Sequence, residues 1–318
     1  MRSDFVQQQN SICDFANSDS WVILSPIEQS IKRKIEAVGK PLKDWDIQIN
    51  YGIKTGFNDA FIISTEKRNE ILANCKDADE RKRTEELIRP ILRGRDIKRY
   101  GYNWADKWLI FIPWHFPLQF DQTIQGASEK AELEFKKQYP VVYSHLLQYK
   151  KELSARNKAE TGVRYEWYAM QRWGANYWED FNKPKIVWAE LSRTGNSFVF
   201  DDSKMFLGNT GYILTAKNND LTTLKYLLGF LNSRIVLYYL DLICTRFDDN
   251  GWRWLRQFVE NIPIPKIVSN HDRLCSIVDK VNRKNQKNAS NMINQVVAER
   301  YGLNLEEFDY INSYLNNY

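Results

Sequence analysis

What most constrains the fold of this chain is the spacing of its β-type runs. Ile47, Ile49 and Tyr51 alternate with polar residues, and Trp108–Ile112, Lys185–Trp188, Phe198–Phe200 and Gly211–Thr215 are short runs of strand-forming residues. Alternation reads as a half-buried strand, and a short apolar run between turn signals reads as a buried one. Helical stretches lie between them. Ile27, Ile31, Ile35 and Val38 form an apolar stripe opposite Lys32, Arg33 and Lys34, ending near Gly39 and Pro41. Thr65 to Arg89 is charged and mostly helical up to Pro90, and Glu129 to Arg156 is helical with a break at Tyr139-Pro140, where Pro140 opens a second helix. The glycine-framed segment Gly52-Ile53-Lys54-Thr55-Gly56 precedes a further apolar run, Ala60 to Ile63, so strand, loop, strand is expected there, with a plain hairpin turn as the simplest form. Strands that interleave with helices, with no internal repeat, place the chain in the α/β class in its mixed α+β form.

Leu221 to Leu240 reads as a buried helix, its apolar positions nearly encircling it, with Asn232-Ser233 expected to satisfy backbone groups. The surrounding run, Leu227 to Ile243, is interrupted by Asn232, Ser233, Arg234 and Asp241 and falls short of the roughly 20 apolar residues a spanning helix needs. Pro263-Ile264-Pro265 reads as a boundary. Beyond it, His271 to Tyr301 forms two helices or one interrupted helix, Gly302 stops it, and Asn304 is placed to cap another.

The 318 residues suffice for one large domain or two ordinary ones. Met1 to Phe15 has no apolar signal core, and Cys13, Cys75, Cys244 and Cys275 are far apart, so a reducing, cytoplasmic location without membrane partners is expected. Aromatic residues make up 14%, and the 45 Lys and Arg against 40 Asp and Glu leave +5, a small excess that conceals local basic clusters. Such enrichment marks either a recognition surface or a Trp-rich core.

Searches for catalytic constellations fail. The Gly52–Gly56 segment resembles a phosphate-binding loop, but Lys-Thr precedes the second glycine where that motif requires it to follow and to open a helix. No Asn/Asp-Pro-Pro-aromatic tetrapeptide and no glycine-rich turn for S-adenosylmethionine is present. Asp77, Asp79, Glu80 and Lys82 are the nearest match to a metal-nuclease set, yet they sit in a polar helical stretch and read as a solvated face. His115, His145 and His271 have no partner at metal spacing and Gly-x-Ser-x-Gly is absent, so no catalytic and no metal-ligating residue is assigned.

What remains is binding. Lys54, Thr55 and Asn58; Arg93, Arg95, Lys98, Arg99 and Tyr100; Arg172 and Trp173; Arg193, Thr194 and Asn196; and Arg246, Arg253 and Arg256 cluster in loops between the expected strands. Arg and Lys reach phosphates and guanine edges, and Asn pairs with adenine edges. Lys98 and Arg99 are candidates for phosphate; Arg172, Arg193 and Arg253 are candidates for bases. Asp96 either braces Arg93 or Arg95 or leaves both to the ligand.

Five segments in order carry a resemblance: Gly52 to Phe61, Ile88 to Tyr100, Lys183 to Trp188, Leu224 to Ser233 and Ile262 to Pro265. Together they are similar to the TaqI-type C-terminal specificity domain, the target recognition domain of adenine-N6 DNA methyltransferases and of type IIG restriction-modification enzymes, over about Trp21 to Lys266. The resemblance implies a mixed-sheet DNA target recognition domain over 21–268, preceded by a linker or helix (1–20) and followed by a small helical appendage (269–318). It implies sequence-specific binding of double-stranded DNA beside a methyltransferase domain or subunit, with no catalysis by this chain alone. S-adenosylmethionine and Mg2+ are expected only in catalytic domains outside it. The alternative from another class is a protein-interaction module that binds a partner subunit through its aromatic surface.

Overall fold

The computed structural model describes residues 24–244, 246–248, 251–267, 272–281 and 285–316. The expected N-terminal linker (1–20) and His271 lie outside them. The chain forms two compact units, one from residues 47–224 and one from the N-terminal segment up to residue 46 together with residues 225–318.

Helix α1, Pro26–Val38, begins the second of these. Pro26 occupies the first turn, where its missing N–H is not needed, and the Glu28 carboxylate accepts from the Ser25 backbone N–H at 2.7 Å. Ile31 and Ile35, read as its apolar stripe, are buried.

In the unit 47–224, β1 (Ile47–Tyr51) is followed by a helical turn, Asn58–Phe61, and then by β2 (Ile62–Ser64). The apolar run expected as a strand is therefore half helix: Ala60 and Phe61 are buried within the helical turn, and the strand begins only at Ile62. Helices α2 (Thr65–Ala73) and α3 (Ala78–Leu87) lead into β3 (Ile88–Leu92), then β4 (Lys107–Ile110). Arg89 and Pro90, read as the end of a helix, are thus inside a strand. A residue preceding proline avoids the helical region, so the helix ends at Leu87 and the chain extends. Helices α4 (Glu129–Gln138), α5 (Pro140–Leu147) and α6 (Lys150–Ala155) follow, with Pro140 opening α5 as expected. Strands β5 (Lys185–Ala189), β6 (Phe198–Asp201), β7 (Phe206–Leu207) and β8 (Gly211–Ala216) complete the unit.

These strands make two four-stranded sheets, one antiparallel in the order β6-β5-β8-β1 and one mixed in the order β7-β3-β4-β2, in which β7 and β3 run parallel. A single apolar cluster joins them, dense in rings: Phe111, Phe116, Phe135, Tyr165, Tyr168, Phe181 and Phe206 are all in it. Phe181 stacks on Phe206 with ring centroids 4.7 Å apart, and Trp114 stacks on Tyr165 at the same separation. The aromatic enrichment thus builds core. Tyr51, 51% exposed, and Phe120, 72% exposed, are the large aromatic side chains left open among the described residues.

From Leu221 the chain turns helical. The expected single helix is two, α7 (Leu221–Leu231) and α8 (Arg234–Ile243), bent by 70° at Asn232-Ser233. Ser233 makes the break: its hydroxyl accepts from the Val236 N–H at 3.2 Å and donates to the Phe230 carbonyl at 2.7 Å. No single helix among the described residues is long and apolar enough to cross a membrane. Helices α9 (Arg273–Asp279), α10 (Gln286–Arg300) and α11 (Leu305–Asn316) form the C-terminal part, with Asn304 capping α11 as expected. Lys40–Pro41 pairs with Pro263–Ile264, Tyr301 donates to the Pro263 carbonyl at 2.7 Å, and Glu307 accepts from Ser30 and Lys34. The prolines at 263 and 265 therefore stand inside a compact unit, with Ile264 fully buried.

Candidate nucleic-acid interface

The Gly52–Gly56 segment is not a hairpin turn. It runs extended between two other stretches of chain: Gly52 N–H donates to the Gly211 carbonyl at 3.0 Å, Ile53 N–H to Leu207 at 2.7 Å, and Lys54 exchanges both backbone bonds with Arg172. A Cβ on Gly52 would lie 2.0 Å from the Gly208 carbonyl oxygen, so only glycine lets the two backbones meet there. Gly56 turns the chain at φ +82°, where a Cβ would also press on the Arg156 side chain.

Arg156 grips this segment from the protein side. It is 9% exposed and has no carboxylate partner among the described residues; its guanidinium donates to the carbonyls of Thr55 at 2.6 Å, Trp167 at 2.7 Å, Ala169 at 2.8 Å and Leu153 at 2.9 Å. Four carbonyl dipoles replace the hydration that burial removes. Burial still pulls its pKa down, to about 10, which leaves it charged at neutral pH. Thr55, itself buried, donates its hydroxyl to Asn58 Oδ1 at 2.7 Å.

A cavity of about 640 Å³ opens beside this loop. Ile53, Ile91, Leu92 and Ala189 make its apolar part, and Thr55, Asn58, Arg93, Arg95, Glu190, Asn209 and Thr210 its polar part. Four separate loops contribute, each leaving a strand of one of the two sheets. The Thr210 hydroxyl accepts from Gly94 N–H at 3.3 Å, and its carbonyl accepts from Glu190 N–H at 2.9 Å, which ties three of the loops together. Asp96 settles the two readings of its loop. It takes Arg93 in a two-pronged pair, Nη2 to Oδ1 at 2.7 Å and Nε to Oδ2 at 3.0 Å, and accepts from the Arg93 backbone as well. The carboxylate holds the Arg93 pKa above its ordinary value. Arg95 is left exposed.

The structure thus brings Thr55, Asn58, Arg93 and Arg95 to one cavity and joins Lys54 to Arg172. Lys98 is exposed and donates to the Arg95 carbonyl at 3.1 Å. Arg99 is held by Asn196, through Oδ1 at 2.6 Å and the carbonyl at 3.2 Å, and Arg193 is exposed on the loop before it. Arg253, exposed, and Arg246, whose side chain lies outside the described residues, belong to the other compact unit, on the strands Gly251–Arg253 and Arg246–Asp248. Glu190, Asn209, Thr210 and Arg156 were not singled out from sequence. Gly208-Asn209-Thr210-Gly211 carries a turn signature that marks a loop; Arg156 carries no signal, being one basic residue at a helix end.

The acidic stretch at 77–82 is structural: Asp77 caps α3 by accepting from Glu80 N–H at 2.7 Å, and Glu80 is fully buried, accepting from Lys76 N–H, which corrects its reading as part of a solvated face. His115 pairs with Glu166 at 3.0 Å and His145 with the Ala60 carbonyl at 2.9 Å. No cluster of three His, Cys, Asp or Glu side chains suited to a metal ion occurs among the described residues.

The two sheets thus send four polar loops to one cavity. Residues 89–264 match the TaqI-like C-terminal specificity domain, and the chain belongs to that family, the specificity domains of restriction-modification enzymes. The match begins at Arg89, so the Gly52–Gly56 loop lies before it. The chain is 22% identical over 260 residues to the type II methyltransferase M.MjaIV of Methanocaldococcus jannaschii, covering 78% of this chain and 76% of that protein. It is 26% identical over 137 residues to the type II methyltransferase M.BanIII of Aneurinibacillus aneurinilyticus, covering 43% of this chain and 23% of that protein. Its fold is similar to part of the type IIL restriction-modification enzyme MmeI, solved in complex with DNA, with a TM-score of 0.53 at 14% identity over 86% of this chain and 36% of that enzyme. The chain therefore spans about a third of the solved enzyme.

Proposed function

We propose that this chain binds double-stranded DNA sequence-specifically as the specificity domain of an adenine-N6 DNA methyltransferase or of a restriction enzyme joined to one. The convergence of Asn58, Arg95 and Asn209 on one cavity, with Arg93 bracing its loop beside them, supports this reading, since it gathers side chains able to contact base edges at strand ends. Arg95, Asn58, Arg193 and Arg253 are the candidates for base edges and Lys98 for phosphate. Thr55, Arg93, Arg99 and Arg246 complete the proposed contact set, the first three as braces of their loops. The methyl transfer, with its S-adenosylmethionine, and any Mg2+-dependent cleavage belong to a methyltransferase domain or subunit that this chain orients on DNA.

The test is binding of a randomised duplex pool over a range of salt, followed by selection. The expected result is a steep fall of affinity with salt and enrichment of one short sequence, with no label transferred from S-adenosylmethionine by the chain alone. Affinity insensitive to salt, with no sequence enriched even when the methyltransferase is supplied, overturns the reading.

A further inference from the structure

Lys54 and Arg172, remote in sequence, lie directly opposite each other. Lys54 N–H donates to the Arg172 carbonyl at 2.9 Å and Arg172 N–H to the Lys54 carbonyl at 2.8 Å, an isolated antiparallel bridge. Residues that exchange both bonds have Cα atoms about 5.5 Å apart and side chains leaving on the same face. Both side chains are exposed. Like charges so placed repel. A carboxylate would relieve them, yet neither side chain makes an ion pair or side-chain hydrogen bond among the described residues.

The bridge is also held stiffly. Gln171 N–H donates to the Thr55 carbonyl at 3.2 Å, and the same carbonyl accepts Arg156. Arg156 simultaneously takes the carbonyls of Trp167 and Ala169, on the stretch that leads to Arg172, so one buried guanidinium ties both sides of the bridge. Two cations kept side by side at fixed spacing fit an anion with two oxygens. A base edge is neutral and offsets neither charge; a phosphodiester carries one full negative charge on two non-bridging oxygens, one for the flat fork of an arginine and one for the point charge of a lysine.

We propose that the Lys54–Arg172 bridge seats one backbone phosphodiester of the duplex, which makes Arg172 a positioning contact and not a base reader. The assignment rests on the DNA-binding reading above. It is tested in the 318-residue chain with Lys54→Gln, Arg172→Gln, their double variant and Arg172→Lys, measuring duplex affinity against salt and the sequence selected from a random pool. If both side chains share one phosphate, the double variant lowers the slope of log affinity on log salt by about one, not two, and weakens all duplexes alike with the selected sequence unchanged. Arg172→Lys keeps the parent slope. Thermal midpoints do not fall below the parent value, both side chains being exposed and each Gln variant relieving their repulsion. A double variant with the parent slope, one that loses about two, or an Arg172→Gln protein whose preference relaxes at one base pair overturns the seat while the DNA-binding reading stands. A parent chain that binds no duplex at any salt, with or without a methyltransferase, overturns that reading and the seat with it.

Discussion

Two buried cations in the unit 47–224 solve the same problem in different ways. Lys185 on β5 is fully buried and meets the equally buried Asp201 of β6 at 2.6 Å, with the Phe181 carbonyl as a further acceptor at 2.7 Å. Burial pulls the Lys185 pKa below its ordinary value, and Asp201 offsets only part of that. Asp201 also accepts from the Met205 and Ser203 N–H groups and from the Tyr102 hydroxyl, so the pair fastens two strands and the turn that follows them. Arg156 has no carboxylate partner among the described residues and is solvated by carbonyl dipoles alone, and what it fastens is a loop and the segment bridged to it. The carboxylate pair serves the scaffold. The carbonyl-bound arginine keeps its positive charge, solvated by dipoles without a counter-ion among the described residues, against the loop that carries Lys54.

The largest expected effect comes from breaking the first of these. Lys185→Met leaves the Asp201 carboxylate buried without its counter-charge and is expected to cost about 3–5 kcal/mol in urea unfolding, with DNA affinity and preference per folded molecule as in the parent. A changed preference in that variant would erase the distinction between scaffold and contact element. Arg156→Met is next. Its four carbonyls lose a charged donor, and a loss of about 1–3 kcal/mol is expected in the same measurement. Unlike Lys185→Met, it should alter duplex preference per folded molecule, and Arg156→Lys should recover stability better than preference, because an ammonium cannot reproduce the planar set of donors.

Asp96→Asn sharpens the comparison at the surface. It removes the charge that holds Arg93 and should lower stability by about 1–2 kcal/mol while raising affinity for all duplexes, one negative charge having left the interface; circular dichroism melts and anisotropy titrations read the two effects. The smallest structural effect belongs to Arg95→Ala. Its thermal midpoint should match the parent, and selection should show relaxed preference at one base pair, worth about 1–3 kcal/mol of binding. An Arg95 variant that melts early with unchanged preference would move this residue from the contact set to the scaffold.

The sequence by itself determined the class of fold, the places of most elements and the family. Periodicity and punctuation suffice for these, because an amphipathic helix such as Pro26–Val38 or an apolar strand such as Lys185–Ala189 carries its signal within its own residues. It also marked the loops rich in Arg, Lys and Asn. Only the tertiary structure decided that Ala60 and Phe61 turn helical before β2, that Leu221 to Leu240 bends at Ser233, and that the aromatic residues go mostly into the core. It alone decided how the marked loops divide: Thr55, Asn58, Arg93 and Arg95 at one cavity, Lys54 against Arg172, Arg99 bound to Asn196. Arg156 could not be found from the chain because its four partners are backbone carbonyls, which every residue carries and no sequence distinguishes. The physical reason is general to the site: local order is encoded between near neighbours, whereas a shared anion seat depends on backbone hydrogen bonds between segments that the sequence keeps far apart.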